Sequence, residues 1–292
     1  MRISIKSVFD SVGYYARGIY NRGHDEKLTL LASGIAFNGI LCLIPLILLF
    51  SSLLGILLDS SELAIQRVDE ALSAVFPNQP YAQSIKQAIK QAVGDIILYR
   101  TSFGLVGAAV LIWTGTSLFS AIRNALHTVY HVTSNKNLFI SILEDIVWVF
   151  SAGILFLALN LLTWMSSLID TLLALLPPLR ELELSLLTTT LPRFTEVAIT
   201  LLMFFIVYRF IPDVKPPSRV AWLSAITTTA LWLLAAAVFG WYLAEFHSFS
   251  KVYGAYAFLL VLLVWVYYSA SVFVFGGIVG QLYRERRESR RT

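Results

Sequence analysis

The sequence predicts an all-α, polytopic integral membrane protein with six transmembrane helices, on the evidence of its composition, its long apolar runs and its distribution of basic residues. Of 292 residues, 57% are hydrophobic and only 14% are charged. Soluble domains contain about 45–50% apolar and about 25% charged residues. The composition therefore excludes an ordinary water-soluble enzyme. The single cysteine, Cys42, excludes a disulfide-stapled secreted scaffold.

The long apolar runs give the predicted spans, because a helix needs about 20 apolar residues to cross the hydrocarbon core. The predicted spans are residues 28–58, 101–122, 138–176, 191–211, 220–244 and 251–283. The first is longer than a core of ~30 Å requires, so we expect it to tilt, overshoot or bend, and Pro45 is the expected bend. The fourth is the least regular, because Arg193 and Glu196 lie in its first turns.

The basic residues predict the orientation of these spans. With the N-terminus inside, 15 Lys and Arg residues fall in the inner segments and 7 fall in the outer segments. Cytoplasmic loops keep basic residues, so both termini are predicted to be cytoplasmic. Topology and anionic inner-leaflet lipid then account for the net charge of +4, and we expect membrane lipids rather than nucleic acid as partners. A homo-oligomer is compatible with the sequence.

Three further segments lie outside the predicted spans. Residues 1–27 are predicted to form an amphipathic helix on the inner membrane surface, because apolar residues recur there at three- and four-residue steps. The predicted outer loop, residues 59–100, contains two amphipathic stretches separated by a Pro-Asn-Gln-Pro run at 77–80. This loop is either a cap packed on the bundle or an outer surface that gates an amphipathic substrate. Residues 284–292 are predicted to form a basic cytoplasmic tail.

The sequence predicts no catalytic residue, metal site or cofactor. His127 and His131 are four residues apart and would share one face of a helix. Their segment lacks the glutamate of the zinc motif His-Glu-x-x-His and has no third ligand nearby in sequence. The sequence also contains no Gly-x-Ser-x-Gly elbow and no glycine-rich phosphate-binding loop. Enzyme classes that depend on these motifs are therefore disfavoured.

Polar groups and glycines in or beside the predicted spans are the candidates for function, because a buried polar group in a membrane costs free energy unless it is paired. The candidate substrate-path or helix-break residues are Asn38, Pro45, Arg123, Asn124, Tyr253 and Gly254. The candidate charged partners are Glu144, Asp145 and Arg209. Late in the last span, Gly276 and Gly277 are expected to allow close helix packing.

Each of these candidates has a structural and a functional interpretation. Asn38 and Pro45 mark either a kinked packing helix with an interhelical hydrogen bond or a broken helix that lines a cavity. Arg123 either extends to the membrane interface or holds a lipid phosphate or anionic substrate. Glu144 and Asp145 either cap the third span and pair with Arg123 or Lys136, or belong to a proton relay.

Several stretches resemble a known family when they are taken together and in order. They are Leu-Ala-Ser-Gly-Ile-Ala-Phe at 31–37 with Leu-Ile-Pro-Leu at 43–46, the segment 107–124, Ile-Pro-Asp-Val at 211–214 with Pro217 and Arg219, and the segment 253–276. The set resembles the YihY/BrkB family of bacterial inner-membrane proteins, once labelled ribonuclease BN. The resemblance implies a six-helix inner-membrane protein without an established reaction, whose ribonuclease label is regarded as a misassignment.

The family resemblance also suggests a role in the cell envelope. Members have been connected with envelope integrity, serum resistance and a proposed export of lipid or lipopolysaccharide precursors. Two departures are notable, because Cys42 replaces a usual serine and Ile278 replaces the acidic residue that commonly follows the glycine pair. The second departure weakens any proton-driven mechanism that depends on that carboxylate.

The leading functional expectation is a transporter, flippase or exporter of an amphipathic, anionic, lipid-like substrate that serves envelope maintenance. Its expected path is a cavity between the first and last helices. The alternative is a non-transporting membrane scaffold that maintains envelope integrity. A membrane-bound ribonuclease is strongly disfavoured.

Overall fold

A computed structural model describes residues 14, 17, 18, 22, 28–57, 91, 100–133, 136, 137, 139–155, 185–245 and 255–289. Every regular element among these residues is an α-helix, which confirms the predicted all-α class. The helices are α1 (Leu28–Leu57), α2 (Arg100–Val129), α3 (described over 139–155), α4 (Ser185–Phe210), α5 (Ser218–Glu245) and α6 (Ala255–Ser289).

Four of these helices contain stretches long and apolar enough to cross a membrane: Leu28–Phe50, Gly104–Val129, Ser218–Gly240 and Leu260–Ser289. A shorter apolar stretch, Val197–Phe210, lies in α4. The count of six spans stays a prediction, since much of the third predicted span lies outside the described residues. The amphipathic stretches predicted within 59–100 lie outside them as well, as do Tyr253 and Gly254.

The apolar surface of α1 agrees with a lipid environment. Leu30, Phe37 and Ile44 recur at seven-residue intervals, and each is 63% exposed within the protein. Residues spaced by seven fall on one side of an α-helix, so their side chains form a continuous apolar stripe. Large apolar side chains exposed in this way are stable when hydrocarbon, rather than water, surrounds them.

The structure differs from the predicted break in α1. The helix continues through Pro45, and the Asn38 amide donates a hydrogen bond to the Gly34 carbonyl of the same helix at 2.8 Å. Helix α2 packs closely against α1 near Pro45, because a Cβ at Gly107 of α2 would lie 3.3 Å from the Leu49 backbone nitrogen. Asn38 and Pro45 therefore belong to a continuous helix that α2 approaches closely.

The chain forms two compact units. The first comprises Met1–Leu28, Ile122–Leu233 and Val272–Thr292, and the second comprises Thr29–Ala121 and Leu234–Ser271. The first unit contains the four segments that carry the predicted inner basic residues: the N-terminal arm, the α2–α3 connection, the α4–α5 connection and the chain after Tyr283. The candidate charged groups all lie in this unit.

Glycines bring α6 against α5 in the core of the first unit. A Cβ at Gly276 would overlap the Thr228 hydroxyl, and a Cβ at Gly280 would overlap the Ser224 hydroxyl. The pairing of later residues in α6 with earlier residues in α5 shows that the two helices run antiparallel. Small residues at four-residue spacing on both helices permit this approach of backbones. The close packing expected at Gly276 is present, and it extends to Gly280.

The helix α6 continues to Ser289, so it includes most of the predicted basic tail, residues 284–292. The described part of the N-terminal arm contacts this extension. Arg22 Nη2 donates to both carboxylate oxygens of Glu285 at 2.5 Å, and Tyr14 stacks beneath the Arg286 guanidinium at 5.3 Å. A Cβ at Gly18 would lie 2.7 Å from Leu282. The arm is therefore held to α6 by a partly buried ion pair and close packing.

Replacing Glu285 by glutamine is expected to loosen the arm. The Arg22–Glu285 pair is partly exposed, so its loss is expected to cost ~1 kcal/mol, equivalent to about fivefold more frequent opening of the arm. Cleavage after Arg17 by trypsin in detergent micelles should accelerate accordingly. Glu288→Gln is the matched control, because Glu288 is exposed and pairs with Arg284 one turn earlier. Equal cleavage rates in the two variants would contradict this role of Glu285.

Candidate functional site

A cluster of charged side chains lies at one end of the first unit. It combines the last turns of α2, the residues that follow α2, the second turn of α3 and the α4–α5 connection. We call it the charge cluster, and its members are Arg123, His127, Lys136, Glu144, Asp145 and Asp213.

The most buried part of the charge cluster is the ion pair between Arg123 and Asp145. Their side chains are 8% and 1% exposed, and Arg123 Nη2 donates to Asp145 Oδ2 at 2.8 Å. Arg123 Nη1 donates to the Ser141 carbonyl at 3.1 Å, so both terminal nitrogens of the guanidinium bind α3. Asp145 Oδ1 is buried and has no hydrogen-bond partner among the described residues. The charge of Arg123 is thus neutralised inside the protein, in contrast with an arginine that extends to the interface.

Lys136 connects two carboxylates at the edge of the charge cluster. Its Nζ lies 2.6 Å from Glu144 Oε1 and 3.1 Å from Asp213 Oδ1. The hydrogen bond to Glu144, together with Asp213, raises the pKa of Lys136 above its usual range. Lys136 therefore stays charged at physiological pH and joins α3 to the α4–α5 connection.

His127 joins α2 to the same connection through a single ring nitrogen. Its Nε2 accepts a hydrogen bond from the Asp213 backbone amide at 3.2 Å and lies 3.6 Å from Asp213 Oδ2. A nitrogen that accepts an amide hydrogen bond carries no proton, so the imidazole is the neutral tautomer with its hydrogen on Nδ1.

The end of α2 separates the two histidines that the sequence places on one helical face. Val132 N donates to His127 O at 2.9 Å and His131 N donates to Thr128 O at 3.2 Å, which is the Schellman arrangement of a helix C-terminus. His131 takes the left-handed conformation that this motif requires, with φ 52°. No group of three His, Cys, Asp or Glu side chains that could hold a metal ion occurs in the described part of the chain.

The remaining candidates take local roles. The Asn124 carbonyl accepts a hydrogen bond from Thr128 Oγ1 at 3.0 Å, and the Asn124 side chain is exposed. Arg209 Nη1 donates to the Pro216 carbonyl and closes the α4–α5 connection on itself. Asp213 is not among the candidates predicted from the sequence, although it lies in the Ile-Pro-Asp-Val stretch that carries the family resemblance.

The charge cluster carries one excess negative charge when His127 is neutral, because three carboxylates face two permanent cations. Five of its members lie within residues 123–145, and Asp213 joins them from the α4–α5 connection. Ion pairs of this kind can exchange partners, and the arrangement can bind a cation or a proton. It can also release an arginine to an anionic group that competes with Asp145.

Comparison with known proteins gives consistent matches over most of the chain. The sequence profile of a family described as "Virulence factor BrkB" matches residues 19–292. Similar proteins include a UPF0761 membrane protein of Actinobacillus pleuropneumoniae serotype 5b (strain L20), 23% identical over 87% of this chain and 87% of its own length. Another UPF0761 membrane protein, from Pseudoalteromonas atlantica, is 25% identical over 93% of this chain and 86% of its own.

A relative with a different kind of name covers less of the chain. The ribonuclease-like protein YfkH of Bacillus subtilis (strain 168) is 25% identical over 64% of this chain and 66% of its own. No solved structure matches the chain.

Proposed function

The chain belongs to the virulence factor BrkB family, whose similar members here are named as membrane proteins, and from this premise we propose that it moves an amphipathic, anionic, lipid-like molecule across the bacterial inner membrane. It would act as a flippase or exporter in envelope maintenance, with membrane lipids as its surroundings and partners. The long apolar helices support the membrane part of this proposal.

We further propose that the charge cluster lies on the cytoplasmic side, together with both termini. Contacts within the first unit support this arrangement. Arg22 of the N-terminal arm pairs with Glu285 near the C-terminus, and Lys136 after α2 pairs with Asp213 after α4. Segments that contact one another lie on the same side of a membrane, and these are the segments in which the basic residues concentrate. An even number of membrane crossings between contacting segments accounts for these contacts. The helices would then form three hairpins, α1–α2, α3–α4 and α5–α6.

The buried Arg123–Asp145 pair is the observation that carries the transport proposal. Charged groups buried in membrane proteins cost free energy, and they are commonly found on substrate and ion pathways. The guanidinium group matches a phosphate or carboxylate in a bidentate geometry. In the proposed cycle, an anionic headgroup displaces Asp145 from Arg123. The Arg123–Asp145 ion pair forms again when the headgroup leaves.

A flipping assay in liposomes tests this proposal. Purified protein is reconstituted with fluorescent phosphatidylglycerol, and loss of fluorescence to an impermeant quencher reports movement between leaflets. We expect the protein to accelerate flipping over protein-free liposomes and Arg123→Lys to reduce the rate about tenfold, because lysine cannot bind in a bidentate manner. Arg284→Gln is the control, since Arg284 pairs with Glu288 at the exposed end of α6.

The transport proposal fails if reconstituted protein moves neither phosphatidylglycerol nor a lipid A precursor faster than empty liposomes do. In that case the second candidate, a non-transporting envelope scaffold, is favoured. The interlocked glycines of α6 support the scaffold, because they make this part of the first unit rigid. The Arg123→Lys variant is expressed in a deletion strain, and detergent resistance is measured. If the protein is a scaffold, the variant should restore resistance. If it is a transporter, the variant should not.

A further inference from the structure

We propose that the charge cluster is a proton-binding site, with the proton taken up at Nε2 of His127. The coupling of this proton to substrate movement rests on the proposed transport function. The binding of the proton does not, and it can be measured separately.

The geometry around His127 presents two alternative partners to one nitrogen atom. The Asp213 backbone amide donates to Nε2 at 3.2 Å, which suits the neutral ring. The Asp213 carboxylate oxygen Oδ2 lies 3.6 Å from the same nitrogen and suits the protonated ring. Asp213 therefore supplies a donor for one state and an acceptor for the other. The His127 side chain is 12% exposed within the protein.

The charge balance of the cluster also favours one additional proton. Arg123 and Lys136 face the three carboxylates of Glu144, Asp145 and Asp213, so the charges of these five described side chains sum to −1 when His127 is neutral. A proton on His127 makes the cluster neutral.

Two titratable neighbours of His127, Tyr130 and His131, lie outside the proposed site. Tyr130 lies beyond the end of α2, and burial raises its pKa, so the phenol stays neutral. His131 is exposed and is itself the left-handed residue that ends α2. Burial opposes a charge on His127, Asp213 attracts that charge, and Arg123, one turn earlier on α2, and Lys136 repel it.

Proton uptake would change the contacts of Asp213. A proton from water forms the Nε2–H bond, the hydrogen bond from the Asp213 amide is lost, and the new N–H donates to Oδ2. The carboxylate is then shared between His127 and Lys136, which weakens the tie between Lys136 and the α4–α5 connection. The proton thus alters the contacts that hold the α2–α3 and α4–α5 connections together.

Nitrogen NMR of histidine-labelled protein in lipid nanodiscs tests proton binding directly. The His127 signals are identified as those lost in His127→Gln and are followed from about pH 8 to about pH 5, the range in which histidines titrate. We expect an Nδ1–H tautomer at high pH that converts to imidazolium. Asp213→Asn should lower the midpoint by about one pH unit, and Lys136→Gln should raise it, because they remove an opposite and a like charge. His131→Gln is the control and should leave the midpoint unchanged.

Three results would overturn the proton site: a ring that stays in one state throughout the range, an Nε2–H tautomer at high pH, or a midpoint that neither substitution moves. If Asp213→Asn does not fold, Lys136→Gln alone decides the question. The coupling is tested in the liposome assay, where the wild-type flipping rate should change several-fold between about pH 8 and about pH 6 and the His127→Gln rate should not. A pH-independent wild-type rate contradicts coupling but leaves transport standing, whereas a wild type that flips no lipid contradicts transport itself.

Discussion

Gly276→Ala is expected to destabilise the protein by about 3 kcal/mol, because it inserts a methyl group where the core has no space. The new Cβ would overlap the Thr228 hydroxyl and lie 2.9 Å from the Tyr208 hydroxyl and 3.0 Å from the Ser224 carbonyl oxygen. The Thr228 side chain can rotate, but the carbonyl belongs to the backbone of α5 and cannot move alone. Thermal unfolding in detergent should show a melting temperature lower by about 5 °C or more.

Two further variants separate this steric effect from a general intolerance of substitution. Gly240→Ala is the matched control, because a Cβ at Gly240 of α5 meets no atom within 4 Å. Alanine at an open helical position stabilises by about 0.5–1 kcal/mol. Adding Thr228→Ala to Gly276→Ala should recover part of the loss, since one of the three contacts disappears. If Gly276→Ala melts at the wild-type temperature, the proposed packing of α6 against α5 is wrong.

Removing either partner of the Arg123–Asp145 pair is expected to cost about 3–5 kcal/mol, because the other charge stays buried without compensation. Arg123→Met and Asp145→Leu should each lower the melting temperature or prevent folding. The double variant should be markedly more stable than either single variant, since apolar side chains replace both charges. Chemical or thermal unfolding of all four proteins in the same detergent completes the double-mutant cycle.

The Lys136–Glu144 pair is the comparison for this cycle. Its side chains are 35% and 40% exposed, so water screens the interaction and Glu144→Gln should cost at most about 1 kcal/mol. Equal losses at Asp145 and Glu144 would show that burial does not set the strength of these pairs. A double variant as unstable as the less stable single variant would show that Arg123 and Asp145 act through other contacts.

The sequence predicts the course of α1 well because local composition decides it. The apolar run predicts a span over 28–58, and the helix runs from Leu28 to Leu57. At the end of α2 the predicted span stops at residue 122, whereas the helix continues to Val129. A charged residue normally ends an apolar run, but Arg123 is neutralised by a carboxylate 22 residues later. The sequence offers an ion pair of Glu144 and Asp145 with Arg123 or Lys136 as one interpretation, and the structure pairs Arg123 with Asp145 and Lys136 with Glu144.

Some residues of the candidate site can be recognised from the sequence and others only from the structure. Arg123, Glu144 and Asp145 are visible from the sequence, because charges beside apolar spans are rare and costly. Asp213 is not visible as their partner, since it lies 86 residues from His127. The sequence likewise gives no sign that Gly280 and Thr228 have a structural role. Their role comes from the close packing of α6 against α5.

The sequence by itself determined that this chain is a helical membrane protein and which segments are apolar enough to lie in lipid, because the free energy of transferring a run of side chains from water depends on that run alone. Only the tertiary structure decided which charges neutralise one another and which glycines face a neighbouring helix. Those properties depend on distances between segments that are remote along the chain, and the folding of the whole first unit sets these distances.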